Sequence, residues 1–536
     1  MSHQHDRRTF LRQAAALTPL GSASALGLNF SAITQAAAQS VSSSGYKALV
    51  CINLSGGNDA FNTVLATDSS SWSAYAAQRK PSSGTSIALM PAGTPADGGA
   101  NGSTPERLGG VLPISHAGRA VHTSRSFAMH PALAQVQQMH QAGRVAVLAN
   151  VGPLTRPTTK ADWSNVTASK PPKLFSHNDQ QSVWLSFKPE GSGQGWAGLM
   201  GDTLMAMNGA GHSTSDTQLI QRLFTCVTPG VMSVWLAGQS VAPYQTGSTQ
   251  IAQLGGSTRT IYGSARLQAG VAAILGKLDG GGQPTVTARN LFAADHQTVA
   301  QRALQAGTLM GSQFAPLGQA PWSTSGTTNA YVDPLLMYTS PVDGSSKFNA
   351  LALQLQMVAR IIDTNRTASL GINRQFFMVS LGSFDTHSNQ IADHAEKLAQ
   401  VNHAMAYFDR VLGTMPAGDM RSQVTTFTAS EFGRTFTSNG DGTDHGWGGH
   451  HLIMGGAVVG SEVYGTFPTY STANTSGVFS SPDQIQNGVL IPTTSVDQYA
   501  YTLGKWMGVS DSNLRTILPN LNQFNNSSYD LGFMRA

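Results

Sequence analysis

Charge is scarce in this chain. Only 11% of its 536 residues are Asp, Glu, Lys or Arg, while 40% are hydrophobic. That balance excludes a disordered polyelectrolyte, which would be charge-rich and poor in bulky apolar residues. Basic runs are missing as well. The net charge of +4 falls to +2 once Arg7, Arg8, Arg12 and Asp6 are set aside with residues 1–38. Nucleic acid binding therefore has no electrostatic support. Cysteine is limited to Cys51 and Cys226, which excludes a disulfide scaffold. Cys51 lies in an apolar, strand-like run and reads as a buried free thiol, with a bridge to Cys226 as the alternative. Beyond the N-terminal segment, no apolar run is long enough to span a bilayer. Glycine, by contrast, is plentiful at 57 residues and, with Ser and Thr, points to long surface loops.

The first 38 residues read as a targeting segment. Arg7-Arg8 stand in a twin-arginine context, a weakly apolar stretch runs from Ala14 to Ile33, and Ala36-Ala37-Ala38 offer small residues for cleavage. This predicts dealings with the twin-arginine export machinery and a periplasmic or secreted protein with no transmembrane segment in its mature chain. Residues 45–536 then form one α/β domain, with a loop-rich cap or insertion at about 182–373. Strands are expected at 48–54, 144–151, 375–381, 424–429 and 452–458. Helices are expected from Pro131, at Thr285–Leu309, at Phe348–Asp363 and after His387. Strand, helix, strand in that order implies a mostly parallel central sheet flanked by helices.

In so uncharged a chain, a few dense groups of Asp, Glu and His stand out. They are Asn58/Asp59, Asp385/His387, Glu431, and Asp444/His445 with His450 or His451. Each falls at a predicted strand end, where open α/β sheets place their sites. Carboxylates and imidazoles are the usual ligands of zinc, manganese and similar ions. Asn58, Asp59, Asp385, His387, Glu431, Asp444, His445 and His450 are thus the candidate metal ligands. The ion is expected to be Zn, Mn or Ca. Arg434 is a candidate partner for an anionic substrate. Ser176, ahead of a predicted helix, is the first candidate nucleophile, with Thr158 behind it; a plain helix cap is the competing role for Ser176.

The segments Gly56–Thr63, Phe384–His387, Ser430–Thr435 and Thr443–Gly446 also resemble a bacterial family catalogued as domain of unknown function 1501, whose members commonly carry twin-arginine signals. That family is similar, more distantly, to the alkaline phosphatase and sulfatase superfamily. The resemblance implies an alkaline-phosphatase-like fold with one or two metals at the strand ends. By position it makes Asp59 or Asn58 the early metal-binding acid and Asp385/His387 the ligands before a long helix. Asp444, His445 or His450 would supply the late histidine. Glu431 stands where the superfamily usually has an Asp-His pair. No sulfatase-type Cys/Ser-x-Pro-x-Arg signature is present, so a formylglycine nucleophile is not expected.

The function these readings lead to is a metal-dependent hydrolase of phosphate or sulfate esters, acting on a small anionic ester or glycan. The alternatives are a non-catalytic exported binding or assembly protein on the same fold, and a metal-dependent transferase or isomerase.

Overall fold

A computed structural model describes residues 45–80, 86–165, 170–251, 264–277, 304–307, 309–310 and 313–535, with 272–277 as backbone only. The targeting segment at 1–38 and most of the expected helix at Thr285–Leu309 lie outside the described residues.

Among the described residues the main sheet has nine strands. In chain order they are β1 (Lys47–Leu54), β2 (Val145–Gly152), β3 (Cys226–Thr228), β4 (Tyr244–Gln245), β5 (Arg374–Leu381), β6 (Val424–Ala429), β7 (Gly449–Met454), β8 (Val463–Tyr464) and β9 (Thr494–Ser495). Their order across the sheet is β8-β2-β7-β6-β1-β5-β3-β4, with β9 also paired to β2. All pairs are parallel except those made by β7, which runs antiparallel to both β6 and β2. The sheet is therefore mixed and mostly parallel.

β1 shows why it sits at the centre. Its sequence KALVCINL is apolar on both sides, the pattern of a strand covered on two faces. Ala48, Val50, Ile52 and Leu54 enter one core with helices α3 (Ala350–Thr367) and α4 (Gln390–Thr414). Leu49 and Cys51 enter a second core with α2 (Trp196–Leu204) and α5 (Val496–Met507). Cys51 and Cys226 are both free and buried, and burial pushes both thiols well up, so neither is a reactive thiolate. Among the described residues, no helix is long and apolar enough to cross a membrane.

Two expected elements differ in detail. The strand expected at 452–458 starts earlier, at Gly449, and stops at Met454, where Gly455 at φ 156° and Gly456 turn the chain. His450 and His451 thus lie inside a strand and point to opposite faces. The element opening at Pro131 begins as a 3₁₀ turn, Pro131–Leu133, before becoming α-helical at Ala134.

A pH-dependent term is built into α5. Asp497 in its first turn is buried, and desolvation raises its carboxyl from 3.8 to about 6, against hydrogen bonds from Asn520 and Ser495. The folded state therefore holds its proton more tightly than the unfolded chain. Stability from this group is full below pH 4 and is lost as pH rises through 6. Two pKa units correspond to about 3 kcal/mol. Denaturant titrations of wild type and Asp497→Asn should show the difference between them shifting by about that amount toward the variant from pH 4 to pH 6.5.

Candidate metal centre

Three strand ends and one helix start bring the site together. β1 runs into Ser55-Gly56-Gly57, where both glycines have positive φ (120° and 86°). A Cβ on Gly56 would collide with the backbone of Phe384 and Asp385, and one on Gly57 with the ring of Phe432. Only glycine lets this turn press against the segments that follow β5 and β6. β5 delivers Asp385 and His387, and β6 delivers Glu431 and Arg434. β7 is antiparallel, so the loop before it, carrying Asp444 and His445, reaches the same edge. Helix α1 (His177–Ser186) points its N-terminal His177 at this edge. Phe175 and Ser383 lie two residues before His177 and Asp385. Both are held at left-handed φ, 73° and 69°, a cost that concentrates at functional sites.

Three imidazoles surround one carboxylate. His177 Nε2 lies 3.4 Å from Asp385 Oδ2, while His387 Nε2 and His445 Nε2 lie 3.1 and 3.3 Å from Asp385 Oδ1. Each imidazole is held from behind at Nδ1. The partners are Glu431 Oε1 at 3.1 Å, Asp444 Oδ1 at 3.3 Å and the Phe175 carbonyl at 2.8 Å. All three partners are acceptors, and so is the Asp385 carboxylate on the Nε2 side; with a cation at the Nε2 atoms, the ring protons would sit on Nδ1. This is the arrangement by which outer carboxylates and carbonyls aim histidines at a metal. The His387 and His445 Nε2 atoms are 3.0 Å apart, a separation that one ring N–H donating to the other ring, or a shared cation, accounts for. Ligand atoms of His177, Asp385 and His445 all fall within 4.8 Å of one another.

The electrostatics divide the cluster into a buried back and an open front. Arg434 is fully buried and donates from Nη1 to Asp385 Oδ1 at 2.7 Å, with Thr443 holding the rest of its guanidinium. Burial pushes the Asp385 carboxyl up, but Arg434, His387 and His177 outweigh it and the net shift is downward. The hydrogen bond to Glu431 raises His177 despite partial burial. His445 is lowered, chiefly by desolvation, which favours its neutral, ligating form. Glu431 is 2% exposed; Oε1 accepts from Gly56 N at 2.7 Å, whereas Oε2 is buried with no hydrogen-bond partner among the described residues. An unpartnered buried carboxylate oxygen is costly. It fits a site that expects positive charge.

The other expected site residues stand elsewhere. Asp59 is fully buried, ion-paired with Arg79 and hydrogen-bonded by Gln390 and Phe61 N. Asn58 is tied to Thr63 and to His394. His450 accepts from Asn150 N at 2.9 Å and packs on Phe467. Ser176 donates to Asp179 at 2.9 Å and Thr158 donates to the Arg156 carbonyl at 3.0 Å. Asp444 sits on the exposed rim behind His387. One residue of the cluster, His177, was not picked from the sequence. It stands next to Ser176, and a histidine at a helix start carries no metal signal of its own.

Residues 293–518 match the family described as Protein of unknown function (DUF1501). No curated protein matches the chain. The DUF1501 match covers β5, β6 and β7 and every cluster residue from Asp385 to His445. His177 and the Gly56-Gly57 turn lie outside it.

The tight turn carries a prediction. Gly56→Ala should cost about 1–3 kcal/mol through overpacking and an unfavourable φ. It should also displace the Asp385 segment. Gly45→Ala has nothing within 4 Å of its new methyl and serves as the control, although its φ of 76° carries the same kind of strain. Thermal melts of both variants, with and without added Zn, separate the two effects. Equal melts and equal metal response would contradict the close approach.

Proposed function

We propose that this protein is an exported, metal-dependent hydrolase of phosphate or sulfate esters, distantly related to the alkaline phosphatase and sulfatase superfamily. The observation that carries the reading is the set of three back-held histidines whose Nε2 atoms converge on Asp385. The strand-end placement of Asp385, Glu431 and the His445 loop supports it further.

His177, His387, His445 and Asp385 would hold the cation. Three imidazole nitrogens and one carboxylate suit Zn or Mn, whereas Ca prefers an all-oxygen shell. Once bound, the ion would supply Lewis-acid polarisation of an ester oxygen. The chain's own residues do the positioning. Arg434 fixes the rotamer and charge of Asp385 from the buried side. Glu431, Asp444 and the Phe175 carbonyl hold the three imidazoles at Nδ1 and set the direction of their Nε2 atoms. Phe432 stacks under His445 with centroids 4.6 Å apart and closes the floor with an apolar surface. Among the described residues no Ser or Thr hydroxyl converges on Asp385, and Ser176 is turned to Asp179, so the reading takes water as the nucleophile. Asp59 is occupied by Arg79, which favours one metal over two.

The test uses protein stripped by chelator and reloaded with Zn or Mn, assayed on 4-nitrophenyl phosphate and 4-nitrophenyl sulfate. Turnover is expected only after reloading. Protein that binds the metal yet turns over neither ester would remove the hydrolase reading.

A further inference from the structure

Beside the cluster lies a crevice of about 620 Å³, within the range of small-molecule sites. It shares its walls with the site. Ser55 precedes the Gly56 turn, Gly382 precedes the Asp385 segment, and Asn178 and Gln181 follow His177 on α1. Among the described residues Glu190 is the only ionisable one in its lining, which holds no Lys, Arg or His.

The floor departs from the rule of its own strands. On β1 the core-facing stripe reads Leu49, Cys51, then Asn53; on β5 it reads Phe376, Met378, then Ser380. Asn53 and Ser380 are direct register partners on the parallel pair. Asn53 is 4% exposed and lines the crevice; its amide has no hydrogen-bond partner among the described residues and is not among the solvent-inaccessible unpartnered groups, so it opens into the crevice. The Ser380 hydroxyl and the side chains of Asn178 and Gln181 are likewise free of partners in the described chain. The lining also has apolar members: Val231 and Met232 are exposed at 71% and 46%, and Leu185 and Met378 stand beside the polar groups on α1 and β5.

We propose that this crevice binds an uncharged, hydroxyl-rich group of the substrate, in chemical class a sugar ring, whose ester reaches the Asp385 cluster. This rests on the hydrolase reading for the ester, but not for the binding itself. Amides and hydroxyls that both donate and accept match neighbouring sugar hydroxyls, which do the same. The apolar members suit the C–H face of a ring. The lack of cationic residues argues against a second anionic group here.

The probes are neutral methyl glucoside, galactoside and mannoside, observed by saturation-transfer NMR on the metal-loaded protein. Wild type should bind at least one of them. Asn53→Leu, which continues the apolar stripe and so suits the fold, should weaken binding at least tenfold. Gln181→Ala on the helix surface should also weaken it, and provides a second variant if the first fails to fold. Binding of none of the three by wild type, or equal binding by wild type and both variants, overturns the proposal. Turnover of 4-nitrophenyl esters by wild type is scored separately, so loss of the hydrolase reading leaves the sugar result interpretable.

Discussion

Asp385→Asn is expected to lower ester turnover by 10³-fold or more and to weaken metal retention by at least 10²-fold. A factor of 10³ corresponds to about 4 kcal/mol. Asp385 is the one group in contact with all three Nε2 atoms, and it is also the ion-pair partner of buried Arg434. Asparagine keeps the shape and one acceptor oxygen but removes the negative charge. The buried Arg434 guanidinium would then stand beside a neutral amide with its charge no longer offset at the site, which disfavours a divalent cation. Some loss of fold stability should accompany the change, because Arg434 loses its charged partner. The bonds of Arg434 to Thr443 and the Gly56 carbonyl remain and limit that loss. Circular dichroism and elemental analysis on the same sample separate the effects. A folded Asp385→Asn protein with wild-type metal content and turnover would show that the carboxylate is not a ligand.

The second large effect belongs to a residue that the sequence placed in the metal site. Asp59→Ala should destabilise the fold by about 3–5 kcal/mol, the cost of leaving one member of a buried ion pair alone. Asp59 and Arg79 are both fully inaccessible to solvent. Burial raises the Asp59 carboxyl, and Arg79 and then Arg434 oppose that rise. Arg79→Met should cost a similar amount. The double variant Asp59→Leu/Arg79→Met should cost less than the sum, because it removes both buried charges together. Metal content should be unchanged in every folded member of the set. Denaturant unfolding gives the energies. A loss of metal with unchanged metal-free stability would return Asp59 to the coordination sphere.

Much of this arrangement was legible in the residues. The runs at 48–54 and 375–381 are mostly apolar and the run at 424–429 mixes Val, Phe and Ala with three β-branched Thr, so strands buried on both faces left little room for another reading. The same runs end in Gly, Ser, Asp and Glu, and that placed Asp385, His387 and Glu431 on one edge. The Thr443–His451 segment was harder. Its glycines marked a loop but not the point where the strand begins, and an antiparallel strand reaches the functional edge with its start rather than its end. Hence His445 in the loop joins the cluster while His450, one strand position further in, turns to Asn150. Asp59 was misleading for a physical reason: an acid after a strand can serve a metal or a buried arginine, and Arg79 lies 20 residues on, at the end of an exposed-looking helix. His177 carried only a weak signal, because a histidine at a helix start is common and its partners Glu431 and Asp385 are more than 200 residues away.

Metal stoichiometry tests the central claim most directly. Metal-stripped protein would be titrated with Zn²⁺ and with Mn²⁺ by calorimetry, alongside His445→Ala. Wild type should bind one ion per chain, His445→Ala should lose at least tenfold in affinity, and Ca²⁺ should compete poorly. No binding by wild type, a stoichiometry of two, or binding unchanged in His445→Ala would contradict a single centre built on Asp385 and its three histidines.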